Sequence, residues 1–123
     1  MIKCHFVIDK THKNKKFKNI FLTKYKNYLP RLSNVIVVLG GDGFMLETLK
    51  KFQKFNKPFY GINSGTFGFL MNKFKTYDII KNISKAQFVS ISPLEMKVIT
   101  KTGKICSNIA INEVSLLRQT RQA

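Results

Sequence analysis

The chain has 123 residues, 44% of them hydrophobic, enough to bury the core of one domain, or of one domain plus a piece of another. No apolar run approaches the roughly 18 residues of a membrane span, and Met1 to Asp9 is too short for a secretory signal and leads into no cleavage pattern. Lys and Arg number 22 against 6 Asp and Glu, a net charge of +16 that attracts anions.

The lysines are scattered through every segment among abundant Asn, Ile and Phe. That reads as a composition bias and makes a nucleic-acid-binding protein the weakest of the readings kept open. The tightest cluster, Lys13 to Lys18, suits the solvated side of a helix. Cys4 and Cys106 lie far apart and form no metal or redox motif, which points to a reduced, cytoplasmic setting.

In chain order, Ile2 to Ile8 reads as a first strand. Phe17, Ile20, Phe21, Tyr25 and Tyr28 then fall at helical spacing, with Pro30 as the stop. Val35 to Leu39 is a run of β-branched and leucine residues, expected as a strand buried on both faces. It breaks into Gly40, Gly41, Asp42 and Gly43, backbone that can take φ > 0 and approach a ligand closely. At a strand's carboxyl end and a helix N-terminus, such a turn is suited to phosphate. The next helix carries Met45, Leu46, Leu49 and Phe52 on its apolar face and ends near Asn56, before Pro58.

Phe59 to Ile62 is the third strand, followed by a second glycine-bearing loop, Asn63 to Leu70, and a short helix over Tyr77 to Ile83. Strand alternating with helix predicts an α/β fold with a Rossmann-like parallel sheet. After Ser84 the texture changes to short runs, Phe88 to Ile91, Met96 to Thr100 and Ile105 to Ile111, with a hairpin turn at Thr102-Gly103. We therefore set residues 1–88 as an α/β nucleotide-binding domain and 89–123 as the first antiparallel strands of an incomplete β-rich domain. A lone hairpin is marginal in water and Arg121-Gln122-Ala123 carries no capping signal, so the chain is expected to be cut short.

Three stretches stand in order: Gly40-Gly-Asp-Gly43, Asn63-Ser-Gly-Thr-Phe-Gly-Phe-Leu70 and Asn112-Glu113, the last expected to leave a strand and followed by Val114 and Arg118. Together they resemble the bacterial-type NAD kinases. The first stretch is shared with lipid kinases, and the second separates the two. The resemblance covers residues 35–123. Phe44 stands where the family often has Thr, and Phe67 where Leu is usual. The family's later Gly-Asp-Gly and Thr-Pro-x-Gly-x-Thr-Ala-Tyr stretches do not occur.

The resemblance implies transfer of the γ-phosphate of ATP, or of polyphosphate, to the adenosine 2′-hydroxyl of NAD, giving NADP. It implies Asp42 as proton acceptor, and Asp42, Gly43, Phe69, Asn112 and Glu113 as NAD contacts. Gly40, Gly41 and Gly43 would offer backbone N–H groups to the ATP phosphates. At a helix start Asp42 would otherwise be a capping residue, and Asn112 and Glu113 an edge pair facing water. The sequence shows no protein ligand set for a metal, so Mg²⁺ would be held chiefly through nucleotide phosphates. Glu47 reads as a surface partner of Lys50 and Lys51. Family members assemble as homo-oligomers. A separate C-terminal fragment would complete the enzyme, and a non-catalytic remnant with weak nucleotide binding is the alternative.

Overall fold

A computed structural model describes residues 1–10, 12–63, 70–73, 78–92 and 112–119, of residues 12–17 the backbone alone. Its elements are β1 (Cys4–Ile8), α1 (His12–Lys24), β2 (Val35–Leu39), α2 (Asp42–Phe52), β3 (Phe59–Asn63), β4 (Asn72–Lys73), α3 (Ile79–Lys85), β5 (Gln87–Ile91) and β6 (Val114–Arg118). The strands form one sheet in the order β1-β2-β3-β6-β5, and β4 also pairs with β3. Strands β1, β2, β3, β4 and β6 run parallel where they pair, and β5 is antiparallel to β6. This is the α/β sheet that the alternation of elements predicts. β5 spans residue 88, where the sequence reading sets its domain boundary, and joins the sheet through β6.

All five residues of β2 are buried, as expected for a strand covered on both faces. Alternation along the strands sends Ile36, Val38, Phe59 and Leu116 to one face, where Met45, Leu46 and Leu49 of α2 pack on them. Val35, Val37, Tyr60, Ile62 and Leu117 line the opposite face, under Phe21 of α1 and Ile79 and Ile83 of α3. Gly61 in β3 leaves room for Met45 and Met71: a Cβ there would lie 2.7 Å from Met45 Cε and 2.6 Å from Met71 Sδ.

Helix α1 ends at Lys24, well short of Pro30, because the following residues serve the edge of β1. Tyr28 N–H donates to Cys4 O, and Phe6 N–H donates to Asn27 Oδ1, at 2.9 Å each. A sheet edge left open is a template for unwanted pairing, and this segment covers part of it. Helix α2 gives way to a 3-10 turn, Gln53–Phe55, and then to Asn56 at φ 54°, the left-handed residue that stops the helix before Pro58. Asp78 caps α3, its carboxylate accepting from Lys81 N–H. The expected strands at 96–100 and 105–111, and the turn between them, lie outside the described residues. Among the described residues, no helix is long and apolar enough to cross a membrane.

Candidate functional site

The carboxyl ends of β1, β2 and β3 meet at the glycine turn. Gly40 N–H donates to Ile62 O at 3.1 Å and Asp9 N–H to Leu39 O at 2.9 Å, so the turn is tied to both neighbouring strands. Gly40's N–H, expected to be offered to phosphate, is engaged in this bond to the sheet. The N–H groups of Gly41, just before α2, and of Gly43 and Phe44 in its first turn have no carbonyl of that helix to reach. They and the helix dipole face the same opening.

The glycines are also needed for a different reason than expected. No described glycine has a positive φ, and Gly41 sits at φ −109° and ψ −174°, extended backbone open to any residue. Gly40 is required by crowding: a Cβ would lie 2.9 Å from Phe44 Cδ2 and 3.2 Å from Asp9 Cβ. Gly41 is exposed, and a Cβ there would meet nothing within 4 Å. Among the described residues, neither strain nor crowding asks for glycine at 41.

Asp42 is the first residue of α2, directly after the N-cap Gly41. Its Oδ1 accepts from Leu70 N–H at 2.9 Å. This fixes a half-buried carboxylate on the β3–β6 side of the turn. Arg118 ends β6 on the same face, two positions beyond the buried Leu116. Burial lowers the pKa of its guanidinium, and the charge of Asp42 opposes that shift.

Asn72, fully buried, holds the three strands that carry these groups. Its Nδ2 donates to Gly61 O at 2.9 Å and to Leu117 O at 3.0 Å, and its Oδ1 accepts from Gln119 N–H at 2.9 Å. Gln119 Nε2 continues the network to Tyr60 OH and Asn82 O.

Residues 5–87 match the family model of the ATP-NAD kinase N-terminal domain. The chain belongs to the NAD kinase family. It is 45% identical to the NAD kinase of Xanthomonas oryzae pv. oryzae (strain MAFF 311018) over 93 residues, which are 74% of this chain and 36% of the relative. The NAD kinase of Hyphomonas neptunium is 45% identical over 100 residues, 81% of this chain and 39% of the relative. That of Brucella suis biovar 1 is 40% identical over 119 residues, 97% of this chain and 46% of the relative. The chain thus spans less than half the length of these relatives. No solved structure matches it.

Within this chain the structure brings Gly40, Gly41, Asp42 and Gly43 together and leaves Asn112 and Glu113 apart from them. The pair is exposed and enters β6; the strand it was expected to leave lies outside the described residues, as does Phe69. Asn112 N–H donates to Gln53 Oε1 at 2.7 Å, just past the far end of α2. Glu113 borders a small cavity of about 170 Å³ there with Gln53, Asn56 and Phe88. Eleven residues of helix at about 1.5 Å each separate that end from Asp42 by roughly 15 Å. Sequence reasoning did not assign Asp9, Asn72 or Arg118 to the site. Asp9 carried a usable signal, since it follows a predicted strand at the ligand-binding end of an open α/β sheet.

Proposed function

We propose that this chain is the phosphate-handling part of an NAD kinase, transferring the γ-phosphoryl group of ATP or polyphosphate to the adenosine 2′-hydroxyl of NAD. The observation that carries this reading is Gly41. Among the described residues its missing side chain serves no contact, and it stands where phosphate would meet the first N–H groups of α2.

In the step, the 2′-oxygen bonds to Pγ while the bond from Pγ to the bridging oxygen breaks. ADP leaves, and the hydroxyl proton passes to Asp42 and then to water. The transition state is loose and the proton leaves late, so an ordinary carboxylate is basic enough to orient the hydroxyl and accept. Leu70 N–H aims that carboxylate, and the Arg118 cation offsets its charge near the phosphates. Asp9 and Asp42 flank the turn with the oxygen donors a hard cation takes. Among the described residues no group of three His, Cys, Asp or Glu gathers. A bound Mg²⁺, held chiefly through the nucleotide phosphates, would neutralise phosphate charge.

The test is NADP formation from NAD, ATP and Mg²⁺ by this chain, alone and mixed with a polypeptide supplying the rest of the relatives' length. Asp42→Asn is expected to lower the rate at least about 100-fold. Equal rates for wild type and Asp42→Asn, or no NADP from any mixture, would overturn the proposal. A second reading, a nucleotide-binding chain without catalysis, is favoured by the distance of Asn112 and Glu113 from Asp42. It would appear as ADP binding with no NADP from either preparation.

A further inference from the structure

Strand β6 pairs with β3 at Phe59 and Leu116, and β4 takes the place beside Ile62 and Asn63. Where β4 intervenes, β6 meets the side chain of Asn72. In a strand, the C=O of one residue and the N–H two positions on point to the same edge. Leu117 O and Gln119 N–H are such a pair, one on each side of Arg118. Asn72 answers both, its Nδ2 donating to Leu117 O at 3.0 Å and its Oδ1 accepting from Gln119 N–H at 2.9 Å. The amide takes the part of a peptide group on a neighbouring strand. On its other edge Arg118 pairs with Gln87 of β5.

The same side chain reaches β3, where Nδ2 also donates to Gly61 O at 2.9 Å. Two positions before Asn72, Leu70 gives its N–H to Asp42 Oδ1 at 2.9 Å. The two groups that bear on the Asp42 carboxylate, Leu70 N–H and the Arg118 cation, thus hang from one buried amide.

We infer that Asn72 is a positioning residue for the phosphoryl transfer, setting Leu70 and Arg118 around Asp42 from a place that neither substrate touches. This inference rests on the kinase reading and adds to it how the proton acceptor is held. A C=O and an N–H on one strand edge need a donor and an acceptor on one planar group, which an Asn side chain supplies. An apolar side chain could fill the space but would set neither neighbour of Arg118. Placement matters to the rate, since a shift of about 1 Å in a reacting group can cost on the order of 100-fold. The N–H groups of Gly41, Gly43 and Phe44 lie at the start of α2, which none of these Asn72 bonds reaches. Asn72 therefore bears on the proton acceptor and not on the binding of the phosphoryl donor.

The test is NADP formation by Asn72→Asp, with and without Asp42→Asn, in the chain mixed with the polypeptide that supplies the rest of the relatives' length. At neutral pH an ionised carboxylate at 72 still accepts from Gln119 N–H but cannot donate to Leu117 O or Gly61 O. Asn72→Ser, smaller and uncharged, is run alongside with the same expectation. Rates are taken at a temperature where circular dichroism shows each variant folded. The kcat should fall about 10- to 100-fold, with the KM for ATP within about twofold of wild type. In the Asp42→Asn background the same changes should move kcat by less than about twofold, because the group that Asn72 serves is gone. Hydrogen exchange on the chain by itself gives a second readout. Protection of the Leu70 amide should fall at least about tenfold relative to that of Leu46, inside α2.

An equal loss of kcat in both backgrounds would make Asn72 a support of the sheet alone and overturn the inference. So would a raised KM with kcat unmoved, or unchanged Leu70 protection. In each of these cases NADP is still made and the kinase reading stands. No NADP from the wild-type mixture would overturn the kinase reading and the inference together.

Discussion

At Gly40 a methyl group would press on the ring of Phe44 and on Asp9, while at Gly41 it would meet none of the described residues within 4 Å. Overpacking of a closed site costs about 1–3 kcal/mol. An alanine at an unstrained exposed glycine instead stabilises by about 0.4–1 kcal/mol through the unfolded chain. Gly40→Ala should therefore lower the urea midpoint, whereas Gly41→Ala should hold or raise it yet weaken tripolyphosphate binding several-fold. A Gly41→Ala chain that binds as wild type would remove the main support for a phosphate site. The turn's purpose was legible from its composition and place after a buried strand. The reason for Gly40 was not, because the crowding comes partly from Asp9, 31 positions earlier, which only strand pairing brings alongside.

Among the elements, the junction of β3, β4 and β6 depends most on one side chain. β6 pairs with β3 through Phe59 and Leu116, and β4 takes over beside Ile62 and Asn63. Asn72 closes the gap with two donated bonds and one accepted. Asn72→Leu would leave two carbonyls and an N–H unanswered in a buried place, at about 1–3 kcal/mol for each group that water fails to reach. Urea unfolding should show a loss of at least about 2 kcal/mol.

Asn72→Asp sets a carboxylate against Gly61 O and Leu117 O, which favours its protonated form and raises its folded pKa. Stability of that variant should then fall as pH rises from about 4, the unfolded value, toward 7.5. A flat profile would contradict the contact. Hydrophobic periodicity made α2 and strands β1, β2 and β3 readable in advance. It could not announce a two-residue strand such as β4, nor a polar Asn72 whose partners are 11 and 45 positions away. The early end of α1 was hidden for the same reason, since Asn27 and Tyr28 are recruited by the edge of a distant strand.

For the whole molecule, the α/β architecture followed from the alternation of strands and helices, and its charge and its buried thiol now set how it answers to salt and pH. A net +16 on 123 residues repels itself, so the melting temperature should rise between 10 and 150 mM salt as screening shortens that repulsion. Cys4 lies in the layer under α1 with Phe6 and Phe21, 3% exposed, and burial pushes its thiol up from 9.0 to about 12.

In the unfolded chain that thiol ionises near pH 9, while in the folded chain it keeps its proton until about 12. Its contribution is complete below pH 9 and is lost as pH rises toward 12, by up to about 1.4 kcal/mol per pH unit. Tyr60, raised by burial against the hydrogen bond from Gln119, adds in the same direction. Lysines losing charge over that range relieve repulsion and act oppositely, so the informative quantity is the difference between two chains. In a Cys106→Ser background, Cys4→Ala should be less stable than Cys4 at pH 8 because a packed sulfur is gone, and the gap should narrow steadily from pH 9 to 11. Disulfide reagent at pH 8 should label Cys4 only after urea is added. A gap constant with pH, or ready labelling of the native chain, would show that the thiol is not held in the core.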